Sequence, residues 1–274
     1  MKQVETRHGP MWVLEGDAYV GRSLELYGEC SEREVELLGQ ILKPGAVVVE
    51  AGANIGAHTV PLARACAPGR LYAFEPQQPV FQALCANLVA NGITNVTALP
   101  EACGEAEGRV RMPAIDYGAP QNFGSVAVLD ADSPMPGHEV RLTTIDGLNL
   151  AACRLIKIDV EGSEPRALRG AAETIRRCRP VLYVENLVAE QQQEVISLID
   201  GFGYRQWWHA PPLYAPDNWA GRSENVFEGI VSANILAIHR DTPGGPPAPA
   251  IDPDNWKSPV PPIPRASLAP RVRG

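Results

Sequence analysis

Short apolar runs alternate with longer segments whose apolar residues recur at helical spacing. Val47–Val49 is a β-branched run suited to a strand buried on both faces. A helical pattern follows from Ile55 to Cys66, and Pro68-Gly69 ends it before a second apolar run at 70–74. This order predicts a βαβ unit around which the rest of the chain is arranged.

The same alternation continues toward the C-terminus. Further strands are predicted at 96–99, 109–112, 140–143, 154–159, 179–185, 204–209 and 233–239. Helices are predicted at 31–41, 76–91 (with Val89 on the buried face), 165–175 and 190–202. The pattern predicts an α/β fold with a mostly parallel central sheet and helices on both faces. The long loop that carries Asn122–Ser125 is expected to be functional.

The chain divides into three predicted parts. Residues 1–45 form an N-terminal hairpin and helix cap, with the hairpin turn at Gly16-Asp17 and a capping box at Ser31–Glu34. A lid over a ligand and a purely structural cap are both open for this part. Residues 46–240 form the main domain. The tail, residues 241–274, holds ten prolines in 34 residues, which predicts disorder or polyproline structure. A docking arm anchored by Trp256 is the alternative.

Charge and composition restrict the partners. The net charge of −8 argues against a nucleic-acid partner, which requires a basic face. The sequence has neither an apolar span of about 18 residues nor a secretory leader, so we expect no membrane partner and a cytoplasmic location. Its six cysteines are scattered without a C-x-x-C pair, which favours reduced thiols, and we assign no metal ligand. A homo-oligomer remains open.

The turn after the first strand of the βαβ unit is built from small residues, EAGANIG at 50–56. Gly52 and Gly56 allow the backbone to approach a ligand closely. Glu75, at the end of the next strand, is placed to accept hydrogen bonds from ribose hydroxyls. The frame departs from the dinucleotide fingerprint G-x-G-x-x-G and agrees better with S-adenosylmethionine. A structural turn without a ligand is the competing interpretation.

These segments resemble the FkbM-type methyltransferases. The similarity lies in Val49–Thr59 (VEAGANIGAHT), Phe74–Pro76 (FEP) and Lys157–Glu164 (KIDVEGSE), and it extends over roughly residues 10–240. The resemblance implies a Rossmann-like methyltransferase fold and S-adenosylmethionine as the methyl donor. It also implies, as acceptor, an oxygen of a small molecule or sugar.

The resemblance also assigns roles to residues. It implies that the methionine part of the donor is surrounded by Glu50, Gly52, Asn54 and Gly56. Glu75 would hold the ribose. Glu101 follows the third strand, where adenine contacts and a solvated loop acid are equally open interpretations.

Methyl transfer to a hydroxyl requires alignment and often a base. Asp159, Glu161 and His209 are our candidate catalytic residues, since each follows a predicted strand end, as does Glu185. The carboxylates could also hold a divalent cation. Three tryptophans are candidate walls of the acceptor pocket or core residues: Trp207, Trp208 and Trp219.

We therefore predict an S-adenosylmethionine-dependent methyltransferase that acts on a small-molecule or carbohydrate hydroxyl. The alternatives are a nucleotide-dependent oxidoreductase, which the departure from the glycine fingerprint disfavours, and a non-catalytic binding module, which the intact acidic strand ends disfavour.

Overall fold

A seven-stranded sheet forms the centre of the computed structural model, which describes residues 1–265. The strands are β1 (Lys2–Thr6), β2 (Gly9–Val13), β3 (Val47–Ala51), β4 (Arg70–Phe74), β5 (Val96–Leu99), β6 (Glu101–Cys103), β7 (Gly108–Pro113), β8 (Gly137–Thr143), β9 (Leu155–Ile158), β10 (Val181–Glu185), β11 (Tyr204–His209) and β12 (Asn234–His239). The α-helices are α1 (Val20–Tyr27), α2 (Glu32–Ile41), α3 (Thr59–Cys66), α4 (Gln78–Ala90), α5 (Glu164–Arg169), α6 (Ala172–Cys178) and α7 (Gln192–Gly201).

The central sheet has the order β11-β12-β10-β9-β3-β4-β5. Its strands are parallel except β12, which runs antiparallel to both of its neighbours. Successive residues of β3 pack into different apolar clusters, Val48 into one and Val49 into the other. Both faces of the sheet are therefore covered, which explains the continuous apolar runs in its strands. The predicted α/β class and mostly parallel sheet are confirmed.

A second, three-stranded sheet has the order β6-β8-β7. The predicted strands around residues 109–112 and 140–143 are β7 and β8, which pair antiparallel. Between them, the loop brings Phe123 into the main core, where only 1% of its surface is exposed. The main-chain carbonyl of Phe123 accepts a hydrogen bond from Gln77 Nε2 at 2.8 Å. This contact fixes the loop beside the carboxyl ends of β3 and β4.

The predicted N-terminal hairpin is wrong in its position. The two strands are β1 and β2, which pair across the turn at residues 7–8, whereas Gly16-Asp17 leads into helix α1. The apolar segment at 18–20 was too short to distinguish a strand from the start of a helix. The predicted helix at 31–41 is confirmed as α2, but Ser31 makes no side-chain capping bond and has a φ of 49°.

Two predictions about helices are wrong in detail. The helix expected at 165–175 is divided into α5 and α6 around Gly170, where a Cβ would lie 1.9 Å from the carbonyl oxygen of Gly104. In α4, Val89 is 81% exposed instead of facing the core. Single apolar residues on a helix surface are common, so periodicity alone could not separate this one.

The described part of the tail, residues 241–265, lies against the main domain. Its Ile251 amide donates to the Gln206 carbonyl at 2.7 Å, and Trp256 Nε1 donates to Gln193 Oε1 at 2.7 Å. Ile263 forms an isolated parallel bridge with Val188. This is the arrangement of the docking-arm alternative and not that of a disordered segment. The rest of the predicted tail, 266–274, lies outside the described residues.

Among residues 1–265, no helix is both long enough and apolar enough to cross a bilayer. The six cysteines are all free thiols.

Candidate active site

A pocket of about 700 Å³ opens at the carboxyl ends of β3, β9 and β10. It lies where β3 has β4 on one side and β9 on the other, the position at which ligands bind in open α/β sheets. The N-terminal part contributes Tyr19 and Glu34 to its wall, and the tail contributes Val260 and Ile263. Segments distant in sequence thus close over the end of the sheet.

The turn after β3 requires glycine at two positions. Gly52 has a φ of 86°, and a Cβ there would lie 1.8 Å from the carbonyl oxygen of Asp159. Gly56 has a φ of 90°, and its Cβ would lie 2.8 Å from Leu84 Cδ1. Asn54 has a left-handed φ of 51°, and its Oδ1 accepts the Ile55 amide at 2.7 Å. Gly52 and Asn54 line the pocket, so the turn presents main-chain atoms to it.

Glu75 is fixed by the backbone on both sides. Its Oε2 accepts the Asn54 amide at 3.0 Å and its Oε1 accepts the Gln77 amide at 2.9 Å. Burial raises the pKa of Glu75 to about 7. Each carboxylate oxygen can still accept a further hydrogen bond, and Glu75 lines the pocket, so it can bind two neighbouring hydroxyls.

Glu50 lies inside the pocket wall with one oxygen free. Its Oε2 accepts a hydrogen bond from Thr59 Oγ1 at 2.7 Å, whereas its buried Oε1 has no partner among residues 1–265. Burial raises the pKa of Glu50 to about 7, and the nearby Lys157 opposes that shift. A buried acceptor without a partner is costly and suits a ligand that donates to it.

A smaller cavity of about 40 Å³ adjoins the pocket and shares Gly52, Glu75 and Asp159 with it. Glu101 lines this cavity, next to the apolar side chain of Val126. The Glu101 carboxylate is paired with Arg141 at 3.3 Å. Glu101 therefore lines the small cavity together with Glu75 and is absent from the wall of the large pocket; adenine contact and a solvated loop acid both stay open for it.

Three carboxylates gather at the ends of β9 and β10. Asp159, Glu161 and Glu185 can each present an oxygen such that these oxygens all lie within 4.8 Å of one another. Burial raises the pKa of Glu161 and of Glu185 well above the usual value, and the charge of Asp159 adds to both shifts. A carboxylate with a raised pKa is a stronger base near neutral pH.

Lys157 is a pocket residue that sequence reasoning did not single out. It is 2% exposed, lines the pocket, and its Nζ donates to Asp159 Oδ2 at 2.9 Å. Burial acts to lower the pKa of Lys157, but the carboxylates of Asp159, Glu50 and Glu34 raise it above its usual value. The available signal was a lysine within the fully buried strand β9. Glu34 gave no signal, because it resembles any acidic residue of an amphipathic helix.

The structure does not bring His209 into the pocket wall. Its Nδ1 is 2.8 Å from the Tyr183 hydroxyl, and burial lowers the pKa of His209. The three tryptophans are absent from the wall as well: Trp207 is buried, Trp208 packs on Trp256, and Trp219 is half exposed. The apolar wall comes from smaller residues, namely Leu187, Leu213, Ile230, Val231, Val260 and Ile263.

Comparisons with known proteins identify the family. The model of the methyltransferase FkbM domain family matches residues 50–206, which is more than half of the chain. The chain therefore belongs to the FkbM methyltransferase family, and its α/β sheet is the Rossmann-like methyltransferase fold. It is 28% identical over 243 residues to the 31-O-demethyl-FK506 methyltransferase FkbM of Streptomyces tacrolimicus, covering 77% of this chain and 93% of that one.

Two solved structures are also similar. One is precorrin-6y C5,15-methyltransferase from Geobacter metallireducens, with 12% identity, a TM-score of 0.47 and coverage of 76% of this chain and 87% of that one. The other is methyltransferase FkbM from Methylobacillus flagellatus, with 19% identity, a TM-score of 0.46 and coverage of 71% and 44%.

Proposed function

We propose that this protein transfers a methyl group from S-adenosylmethionine to a hydroxyl oxygen of a small-molecule or carbohydrate acceptor. The observation that carries the proposal is that a single pocket joins Gly52 and Glu75 with the acidic cluster of Asp159, Glu161 and Glu185. The first pair suits the donor, and the cluster suits an acceptor hydroxyl.

The donor half of the site fits S-adenosylmethionine on three grounds. Gly52 lines the pocket and has no side chain, so its main-chain atoms face the ligand. Glu75 is oriented by two amides and can accept from both ribose hydroxyls. Glu50 Oε1 has no partner among the described residues, and the amino group of the methionine part could donate to it. When bound, S-adenosylmethionine supplies a methyl group on a positively charged sulfur.

The chain's own residues supply alignment and proton removal. The acceptor would lie between Asp159 and the apolar wall that includes Leu213 and Ile263. Its hydroxyl must lose a proton as the oxygen attacks, and Asp159 and Glu161 are the carboxylates placed to accept it. Lys157 holds Asp159 in a fixed position through their hydrogen bond. His209, which lies outside the pocket wall, is the weakest of the three proposed catalytic residues.

The S. tacrolimicus relative supports oxygen as the acceptor atom, since its name describes an O-methyltransferase. The absence of nucleic-acid and membrane partners, the cytoplasmic location and the oligomeric state stay as predictions from the sequence.

Two experiments test the proposal. Calorimetry of the purified protein should show binding of S-adenosylhomocysteine and no binding of NAD or NADP. Incubation with donor labelled in the methyl group and a panel of hydroxylated small molecules and sugars should then yield labelled ethers. Binding of NAD in preference to S-adenosylhomocysteine would refute the proposal, and label found only on nitrogen would refute its oxygen specificity.

A further inference from the structure

We propose that Asp159, Glu161 and Glu185 bind a divalent cation, Mg²⁺ or Mn²⁺, at the acceptor end of the pocket. This inference deepens the proposed function, on which its catalytic meaning rests. Its structural basis is the set of carboxylate oxygens that lie within 4.8 Å of one another. Hard divalent cations prefer such oxygen ligands.

The cluster is produced by the register of the sheet. Strands β9 and β10 are parallel neighbours in which Ile158 pairs with Val184. Asp159 and Glu185 are the next residues on the two strands, so they leave the sheet side by side. Glu161 reaches the same place because its φ of 51° turns the chain immediately after β9. A non-glycine residue in this conformation is strained, and such strain is concentrated at functional sites.

A second, independent observation points to a ligand at the same place. Asn234 is 3% exposed and lines the pocket, and its side-chain nitrogen has no hydrogen-bond partner among residues 1–265. It is the direct cross-strand partner of Glu185 in the antiparallel pair β10–β12, so the two side chains lie on the same face. With its amide oxygen toward Glu185, this side chain would add a neutral ligand to the cluster.

The charges around the pocket also favour a cation. Within the described chain, the only lysine or arginine that lines the pocket is Lys157. Six carboxylates line it: Glu34, Glu50, Glu75, Asp159, Glu161 and Glu185. Lys157 contacts one oxygen of Asp159 and leaves the other available. A divalent ion would reduce the repulsion within the cluster, which is strong where solvent is partly excluded.

A cation at this position would bind oxygens of the acceptor beside the donor half of the pocket. It would orient the acceptor and make its hydroxyl more acidic, and the proton would pass to the oxygen of Glu161 that does not bind the cation. The site therefore suits an acceptor with two neighbouring oxygens, such as a diol or a hydroxy ketone.

The test uses Mn²⁺ alone. The metal-free protein is titrated with Mn²⁺, and the free ion is measured by electron paramagnetic resonance. The titration should show one bound Mn²⁺ per chain, and Mg²⁺ should displace it. Each of Asp159→Asn, Glu161→Gln and Glu185→Gln should weaken Mn²⁺ binding by about tenfold or more. Glu173→Gln is the matched control, because this carboxylate is 74% exposed and lies on α6; its binding should equal that of the wild type.

The outcome can be separated from that of the proposed function. Absence of bound Mn²⁺ at millimolar concentration in folded wild-type protein would overturn the inference, as would wild-type affinity in Glu185→Gln. Calorimetry with S-adenosylhomocysteine in the presence of EDTA reports the donor site alone. If that ligand binds but Mn²⁺ does not, the metal site is refuted and the proposed function stands. If Mn²⁺ binds but the donor analogue does not, the proposed function is refuted and the metal site stands.

Discussion

Replacing Gly52 with alanine tests the geometry of the donor turn, and Gly45 provides a matched control. Both glycines have a φ of 86°. A Cβ at residue 45 would meet nothing within 4 Å, whereas a Cβ at residue 52 would lie 1.8 Å from the Asp159 carbonyl oxygen. The two variants therefore share the cost of a left-handed alanine and differ in the steric clash.

The magnitudes follow from these two terms. The left-handed conformation costs alanine about 1–2 kcal/mol, and this is the whole effect expected for Gly45→Ala. Gly52→Ala adds the cost of overpacking, about 1–3 kcal/mol, because the Asp159 carbonyl belongs to the backbone and cannot rotate away. The Asp159 amide donates to the Ala51 carbonyl at 3.0 Å, so the clash separates β3 from the end of β9.

Thermal melting and calorimetry measure the two consequences. A kcal/mol corresponds to roughly 2–4 °C in a protein of this size, so Gly52→Ala should melt several degrees below Gly45→Ala. It should also lose affinity for S-adenosylhomocysteine, which Gly45→Ala should retain. Equal melting temperatures and equal affinities in the two variants would refute the placement of Gly52 against Asp159 and its role in the donor turn.

Three further predictions concern the walls of the pocket. Glu75→Ala should weaken S-adenosylhomocysteine binding by about 1–3 kcal/mol in a protein that circular dichroism shows to be folded; unchanged affinity by calorimetry would exclude Glu75 from the donor site. The pKa of Glu50 is raised from 4.5 to about 7, so the folded wild type loses stability as pH rises through that interval. Urea titrations should therefore show Glu50→Gln gaining stability relative to wild type between pH 5 and pH 8. A difference in unfolding free energy that does not change with pH would contradict the raised pKa. A chain that ends at Asp241 should melt at a lower temperature than one that ends at Arg265, because it lacks the contacts of Ile251, Trp256 and Ile263. Equal melting temperatures would show that the tail does not dock.

The sequence predicted the central sheet well because its strands are buried on both faces. A continuous apolar run such as Val47–Val49 is distinctive when helical segments flank it on both sides. The N-terminal hairpin was misplaced because β1 and β2 are short and half exposed. Their pattern competes with that of the next segment, and the sequence does not show the contact that holds β2 on α4: Trp12 bonds to Asn87 through both its amide and its carbonyl.

The tail shows a limit of compositional reasoning. Proline prevents regular pairing, which correctly excludes a long strand or helix from residues 241–265. It does not prevent docking through isolated contacts, and Ile263 supplies such a contact by bonding to the main chain of Leu187 and Ala189. The composition reports the conformations that a segment cannot adopt. Whether the segment docks on the domain depends on its apolar residues, which are spaced too irregularly to form a recognisable pattern.

The acidic cluster shows why the sequence alone could not distinguish a catalytic base from a cation site. Asp159 and Glu161 are two residues apart and were readily identified as candidate bases, and the sequence favoured a base without a metal ion. The deciding residue is Glu185, which is separated from them by two helices and a strand. It joins them only because β10 lies next to β9 with Val184 opposite Ile158, a register that one residue of slippage would destroy. The third carboxylate, with Asn234 beside it, favours a cation site over a base that acts alone. Binding of Mn²⁺ by the wild type and its loss in Glu185→Gln would therefore test the register of the sheet as well as the chemistry of the site.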